Sequence, residues 1–220
     1  MSRKYDDPCG IARGLNAVGE RWALLVVREL LFGPKRFTDL HHGLPTASQN
    51  VLSQRLRELE ETGVVRRRRL GPPTASQVYE LTEWGRDLEP VLFHLARWGS
   101  RGPLDSGNEL SADALMFALK TSFDPEAAQD GTYEIRLGDD RFRAEITGGR
   151  LELTRDTAER PDAVLDTDAA TLRSLVFGGH DLAGAIRDGA LKIDGDERAV
   201  ARFVTVFPRP TPAAWDRRPA

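Results

Sequence analysis

Between Pro45 and Leu81 the chain carries a run of signals that leaves little choice of local fold. Thr46-Ala47-Ser48-Gln49 satisfies the capping-box pattern and Leu52, Leu56 and Leu59 follow at helical spacing, so a helix is expected from about Ser48 to Thr62. With the leucines turned to a core, helical rotation sets Asn50, Gln54 and Arg57 on the outward face, Ser53 at its side and Gln49 near the exposed start. Gly63 closes the helix, Val64 to Leu70 reads as a strand, Gly71-Pro72-Pro73-Thr74 as a turn, and Gln77 to Leu81 as the returning strand. Arg66, Arg67, Arg68 and Arg69 lie in the first strand, so two guanidinium groups project from each face of the ribbon. Asn and Gln pair bidentately with adenine, Arg with guanine, and Ser contacts base or phosphate; arginines on a flanking ribbon suit phosphate oxygens. The candidate contacts to double-stranded DNA are therefore Ser48, Gln49, Asn50, Ser53, Gln54 and Arg57 on the helix, with Arg66 to Arg69 on the wing.

The flanking segments extend this pattern. Asp7-Pro8 has the chemistry of a helix start, and a helix is expected to run to about Val18, where Gly19 interrupts it. Arg21 to Phe32 is too densely apolar for a narrow stripe and reads as a buried helix ended by Gly33-Pro34. Phe37 opens a short helix that Gly43-Leu44-Pro45 stops. After the hairpin, a helix from Glu83 to about Arg97 carries Trp84, Leu88, Val91, Leu92, Leu95 and Trp98. The formal charge of -3 conceals an asymmetry: residues 1–103 hold 16 Lys+Arg against 12 Asp+Glu, and the remainder 15 against 22. The division falls where glycine, proline and serine concentrate in Gly99 to Gly107.

Three stretches, Cys9-Gly10-Ile11, Leu52-Ser53-Gln54-Arg55-Leu56-Arg57-Glu58-Leu59-Glu60 and Tyr79-Glu80-Leu81-Thr82-Glu83-Trp84-Gly85, resemble the HxlR-type branch of the MarR-like winged-helix regulators, over about Pro8 to Gly99. The resemblance implies a homodimer joined through its first and last helices. Its two recognition helices would enter successive major grooves about 34 Å apart on a roughly palindromic operator. Arg66 to Arg69 would then meet the backbone or the adjacent minor groove. Some HxlR-type regulators use a cysteine at the position of Cys9 as an oxidant or electrophile sensor. The residues around Cys9 pull both ways: first-turn amides and Arg13 favour negative charge there, whereas Asp6 and Asp7 oppose it. The alternative is a small residue packed near the dimer interface.

In the second half, Leu110-Ser111-Ala112-Asp113 caps a helix carrying Leu115, Met116, Leu119 and Phe123. Tyr133, Ile135 and Leu137 alternate with polar residues; Gly138-Asp139-Asp140 leads to Phe142, Ala144 and Ile146, and Gly148-Gly149 to Leu151 and Leu153. Ala163 and Leu165 suggest a fourth strand; Asp168 caps Ala169 to Phe177, Asp181 a short helix to Asp188, and Gly195-Asp196 introduces a last helix to about Phe207. The expected class is α+β: an N-terminal winged helix-turn-helix, then an antiparallel sheet with helices grouped after it. Gly131 to Leu137, Pro161-Asp162-Ala163-Val164-Leu165 and especially Leu182 to Asp196 resemble the sterol-carrier-protein type domain, over about Leu110 to Phe207. That resemblance implies an apolar cavity, for which Phe117, Ile146, Leu153, Phe177, Ile186, Leu191 and Phe203 are candidate lining residues. The expected divisions are residues 1–99 for DNA binding and dimerisation, 100–109 as linker, 110–207 for ligand binding, and 208–220 as a proline-rich tail that folds back only through Trp215.

Composition narrows the functional classes. The longest strongly apolar run, Trp22 to Val27, falls far short of the ~18 residues of a membrane span, and Met1 to Asp7 is too polar for a signal peptide, so a cytoplasmic location without membrane association is expected. One cysteine excludes an intramolecular disulfide, and His41, His42, His94 and His180 lack metal-ligand spacing, so no bound metal and no cofactor is implied. No paired carboxylates, Ser-His-Asp arrangement or phosphate-binding glycine loop points to an enzyme. The expected function is a DNA-binding regulator modulated by a small hydrophobic ligand in the second domain. Two alternatives stay open: control through oxidation or alkylation of Cys9, and a ligand carrier that uses the winged helix only to dimerise.

Overall fold

A computed structural model describes residues 5–71, 76–103, 109–179 and 181–214. The wing turn at 72–75, most of the linker, His180 and Trp215 lie outside the described residues. The chain divides into two compact units, Met1–Leu92 and Phe93–Ala220.

The first unit opens with α1 (Gly10–Val18). Its N-cap is Cys9, two residues later than Asp7-Pro8 suggests: Asp7 Oδ1 accepts the Cys9 amide at 2.8 Å, which makes the aspartate the support of the cap instead. α2 (Ala23–Leu30) buries Val26, Val27 and Leu30, and follows Trp22, the one non-glycine positive φ among the described residues at +78°. α3 (Phe37–Gly43) and α4 (Gln49–Glu61) form the helix-turn-helix. The cap of α4 is Ser48 and not Thr46: the Ala47 amide closes a turn on the Leu44 carbonyl at 3.0 Å, and the extended Ser48 that follows takes the Val51 amide on its side chain. Leu52, Leu56 and Leu59 are fully buried, as their spacing predicts.

The wing is β1 (Val65–Arg69) against β2 (Gln77–Leu81), antiparallel, with Val65 opposite Leu81 and Arg69 opposite Gln77. Lys35 adds a bridge on the other edge of β2, exchanging both backbone hydrogen bonds with Tyr79. Behind it, Glu29 is wholly buried and accepts from Arg28 at 2.8 Å and Lys35 at 2.9 Å. Gly43 leaves the space for that carboxylate: a Cβ there would stand 2.3 Å from Glu29 Oε2. The single helix expected after the wing is two, α5 (Glu83–Arg86) and α6 (Glu89–Gly99). Pro90 has no N–H to give the Arg86 carbonyl, so the ladder breaks at Asp87-Leu88 and restarts from the Leu88 carbonyl.

The second unit sets α7 (Ala112–Ser122) against a five-stranded sheet: β3 (Gly131–Leu137), β4 (Asp140–Thr147), β5 (Arg150–Thr154), β6 (Ala163–Thr167) and β7 (Lys192–Gly195). The spatial order is β5-β4-β3-β6-β7. The sheet is mixed and not antiparallel, because β6 pairs with β3 in parallel. β3, β4 and β5 form two hairpins, the second turning on Gly148 and Gly149 at positive φ; the chain then returns through residues 155–162 to lie beside β3. β7 was not expected; it is a four-residue edge strand whose Ile193 sits opposite Leu165. α8 (Ala169–Arg173) widens into a π-helical turn at Ser174–Gly178 ended by Gly179, so the helix expected to Phe177 is α-helical only in its first part. α9 (Leu182–Arg187) and α10 (Glu197–Thr205) complete the unit. Its core joins Leu115, Met116 and Leu119 of α7 to Ile135, Phe142 and Leu165, and Phe203 lies 4.5 Å from Tyr133 and 5.1 Å from Phe207 between ring centres.

Candidate nucleic-acid interface

α4 owes its two faces to the leucine spacing, and the polar face is open to solvent. Gln49, Asn50, Gln54 and Arg57 are exposed and Ser53 is half-buried, while Leu52, Leu56 and Leu59 anchor the opposite side. Two of the polar groups are already engaged. Ser48 Oγ accepts the Val51 amide at 3.4 Å as the helix cap, and Gln54 Nε2 donates to Glu58 Oε1 at 3.0 Å. Gln54 thus retains its amide oxygen and one N–H for other contacts. Arg57 has no ionic partner among the described residues. Arg55, two positions earlier, turns inward: it is buried and bonded to Glu58, with Glu20 at 3.6 Å.

The four wing arginines are exposed but not equivalent. Arg66 and Arg68 share one face and one counter-ion: Glu80 Oε1 lies 2.8 Å from Arg66 Nε and Oε2 2.9 Å from Arg68 Nε. Arg67, on the other face, pairs with Glu60 of α4 at 2.9 Å and covers the Tyr79 ring at 5.3 Å. Arg69 has no carboxylate partner among the described residues. Of the six arginines on α4 and β1, four are therefore held by acidic side chains, leaving Arg57 and Arg69. Charge counting missed this neutralisation. The signal was present in the strand pairing, since the register that sets Val65 opposite Leu81 sets Arg66 opposite Glu80.

Cys9 is exposed, and its sulfur accepts the Ala12 amide at 3.3 Å. In the second unit a cavity of 710 Å³ has Pro103, Leu110, Ala118, Ala170, Phe177 and Pro210 as apolar wall, with Glu109, Arg173 and Arg209 as its charged groups. The π-helical turn supplies Ser174, Phe177 and Gly178 to this wall. Of the seven expected lining residues only Phe177 is there; Phe117, Ile146, Leu153, Leu191 and Phe203 are buried elsewhere and Ile186 is half-buried, outside the lining. Alternation and helical spacing identify inward-facing residues, but they do not distinguish a packed core from a hollow one.

Residues 17–103 match the family model of the HxlR-like helix-turn-helix, and residues 102–213 that of the alkyl sulfatase C-terminal region. The uncharacterized HTH-type transcriptional regulator YdeP of Bacillus subtilis is 36% identical over 93 residues, which cover 42% of this chain and 73% of that protein. Among solved structures, the reduced form of the transcriptional regulator YodB from B. subtilis aligns at 32% identity and a TM-score of 0.39, over 43% of this chain and 94% of its own. A double mutant of the sec-alkyl sulfatase PisA1 aligns at 22% identity and a TM-score of 0.41, over 44% of this chain but only 16% of its own.

Proposed function

This chain belongs to the HxlR-like helix-turn-helix family through residues 17–103 and to the alkyl sulfatase C-terminal family through residues 102–213, and from that premise we propose that it is a homodimeric, operator-binding transcriptional regulator whose second unit receives a small apolar effector. The observation that carries the DNA reading is the exposed face of α4, where Asn50, Gln54 and Arg57 stand over a buried leucine row. Arg69, which has no carboxylate partner among the described residues, supplies phosphate contact beside it. Dimerisation rests on apolar side chains that α1 and α6 leave uncovered: Ile11 (78% exposed) and Leu15 on the first, Val91, Leu95 and Trp98 (74%) on the second. Their helical spacing makes a stripe on each helix, which suits a second copy.

The effector reading rests on the apolar wall around Phe177 and on the family of the second unit. The likeness to sterol-carrier domains belongs to the same proposal. An alkyl chain would lie against Phe177, Ala118 and Ala170, and Arg173 and Arg209 favour an acidic end group. Such a compound changes DNA affinity only by favouring one dimer geometry over another, a coupling of about 1 to 3 kcal/mol in either direction. The test is duplex binding by fluorescence anisotropy between ~50 and ~200 mM salt, with and without decyl sulfate below its micellar concentration. The reading expects a steep loss of affinity with salt and a shift with decyl sulfate that Phe177→Ala removes. Binding that ignores salt defeats the DNA assignment, and binding that ignores decyl sulfate defeats the effector assignment.

A second reading makes Cys9 the sensor, favoured by one observation: the thiol is exposed at a helix N-cap with its sulfur receiving a backbone N–H. In that case Cys9→Ser abolishes the response to oxidant and leaves operator affinity as it was.

A further inference from the structure

Glu80 is nearly buried, its side chain 7% accessible, while the arginines that meet it are open to solvent, 62% for Arg66 and 50% for Arg68. Each of its oxygens takes the Nε of one arginine, at 2.8 and 2.9 Å. Two guanidinium groups converging on two oxygens of one anion is the arrangement by which arginines grip a phosphodiester. Here the anion belongs to the protein and sits on the strand facing them.

We infer that Glu80 is an internal stand-in for a DNA phosphate: it occupies Arg66 and Arg68 and thereby holds down binding to arbitrary sequence, leaving discrimination to the base-facing residues of α4. This rests on the reading of α4 and the wing as a DNA surface. Sequence-independent affinity grows with the number of phosphates neutralised, whereas base contacts do not depend on that number. A carboxylate that must be displaced, or whose charge opposes the incoming strand, lowers the first term and leaves the second. The wing of four arginines then contributes little more than Arg69, and specificity, the ratio of operator to random affinity, rises. Glu80 touches no base in this scheme; it acts through the arginines.

The experiment compares the wild-type chain with Glu80→Gln, which keeps the shape and removes the charge, on a random-sequence duplex and on a duplex enriched by selection. Affinity for random duplex is expected to rise about three- to tenfold, with the salt slope steeper by about one to two ions per protomer, and the ratio of enriched to random affinity to fall. Unchanged or weaker binding of random duplex by Glu80→Gln, with the wild type binding normally, overturns the inference alone; a wild type that binds no duplex at low salt overturns the DNA reading with it. A second pair keeps the test independent of how Glu80→Gln folds. Arg69→Ala is expected to reduce the salt slope by about one and Arg68→Ala by less than half of that. Equal losses from the two contradict the inference.

Discussion

Arg57 and Arg69 carry different information although both are unpaired arginines among the described residues. Arg57 stands on the exposed face of α4; under the proposed DNA reading, Arg57→Ala is expected to relax preference at one position of each half-site, by about 1 to 3 kcal/mol of discrimination, read from competition between single-base variants. Arg69→Ala is expected to weaken all duplexes alike, read from anisotropy across a salt series. The residue types of this interface were legible in the sequence, because side-chain chemistry does not depend on folding. Their partners were not: the pairing of Arg66 and Arg68 with Glu80 appears only once the hairpin register is set, and that of Arg67 with Glu60 only once the wing lies beside α4. Elsewhere, Glu134 is almost buried; that burial would raise its carboxyl, but hydrogen bonds from Arg136 at 2.6 Å and the Ala158 amide at 3.0 Å outweigh it and leave the group below its ordinary value. A carboxyl depressed in the folded state stabilises fully above its unfolded value and loses that contribution as pH falls through the folded one. Glu134→Gln is therefore expected to lower thermal stability at neutral pH and to flatten its decline on acidification, followed by melts across pH 2 to 7.

At the scale of elements, α4 was readable because its leucines recur at one face, and the strands of the second unit because apolar residues alternate; both periods are local. What escaped reading depended on position in the fold. The parallel pairing of β6 with β3 follows from where the chain returns after β5, and β7 is too short to show alternation. The break between α5 and α6 was marked by Pro90, yet the apolar spacing continues across it and masks the interruption. Gly85 makes the junction of α5 and β1 testable. A Cβ there would lie 2.1 Å from the Val64 carbonyl oxygen, a backbone atom with nowhere to go, so Gly85→Ala is expected to destabilise the first unit by at least as much as an overpacked core, about 1 to 3 kcal/mol. Leu56→Ala, which empties a fully buried site under the exposed polar face of α4, is expected to cost about 2 to 5 kcal/mol and, under the proposed reading, to weaken DNA binding only through unfolding, as chemical denaturation alongside duplex titration will separate.

At the scale of the whole molecule, one chain carries the proposed nucleic-acid surface on its first unit and a cavity, the proposed effector site, on its second. The two units were legible as a charge asymmetry between the halves, whereas the cavity was not, because its wall is drawn from helix ends, a π-helical turn and the segment around Arg209 rather than from any periodic face. Linkage requires that an effector which lowers operator affinity be bound more weakly by the DNA complex, in the same ratio. None of this holds unless the paired α4 faces of a dimer read sequence. Selection of duplexes from a random pool by the purified 220-residue chain tests that directly. Enrichment of two inverted half-sites is expected, with centres about one helical turn apart, roughly 10 to 10.5 base pairs. A pool that stays random, or a single unrepeated site bound by a monomer, would contradict it.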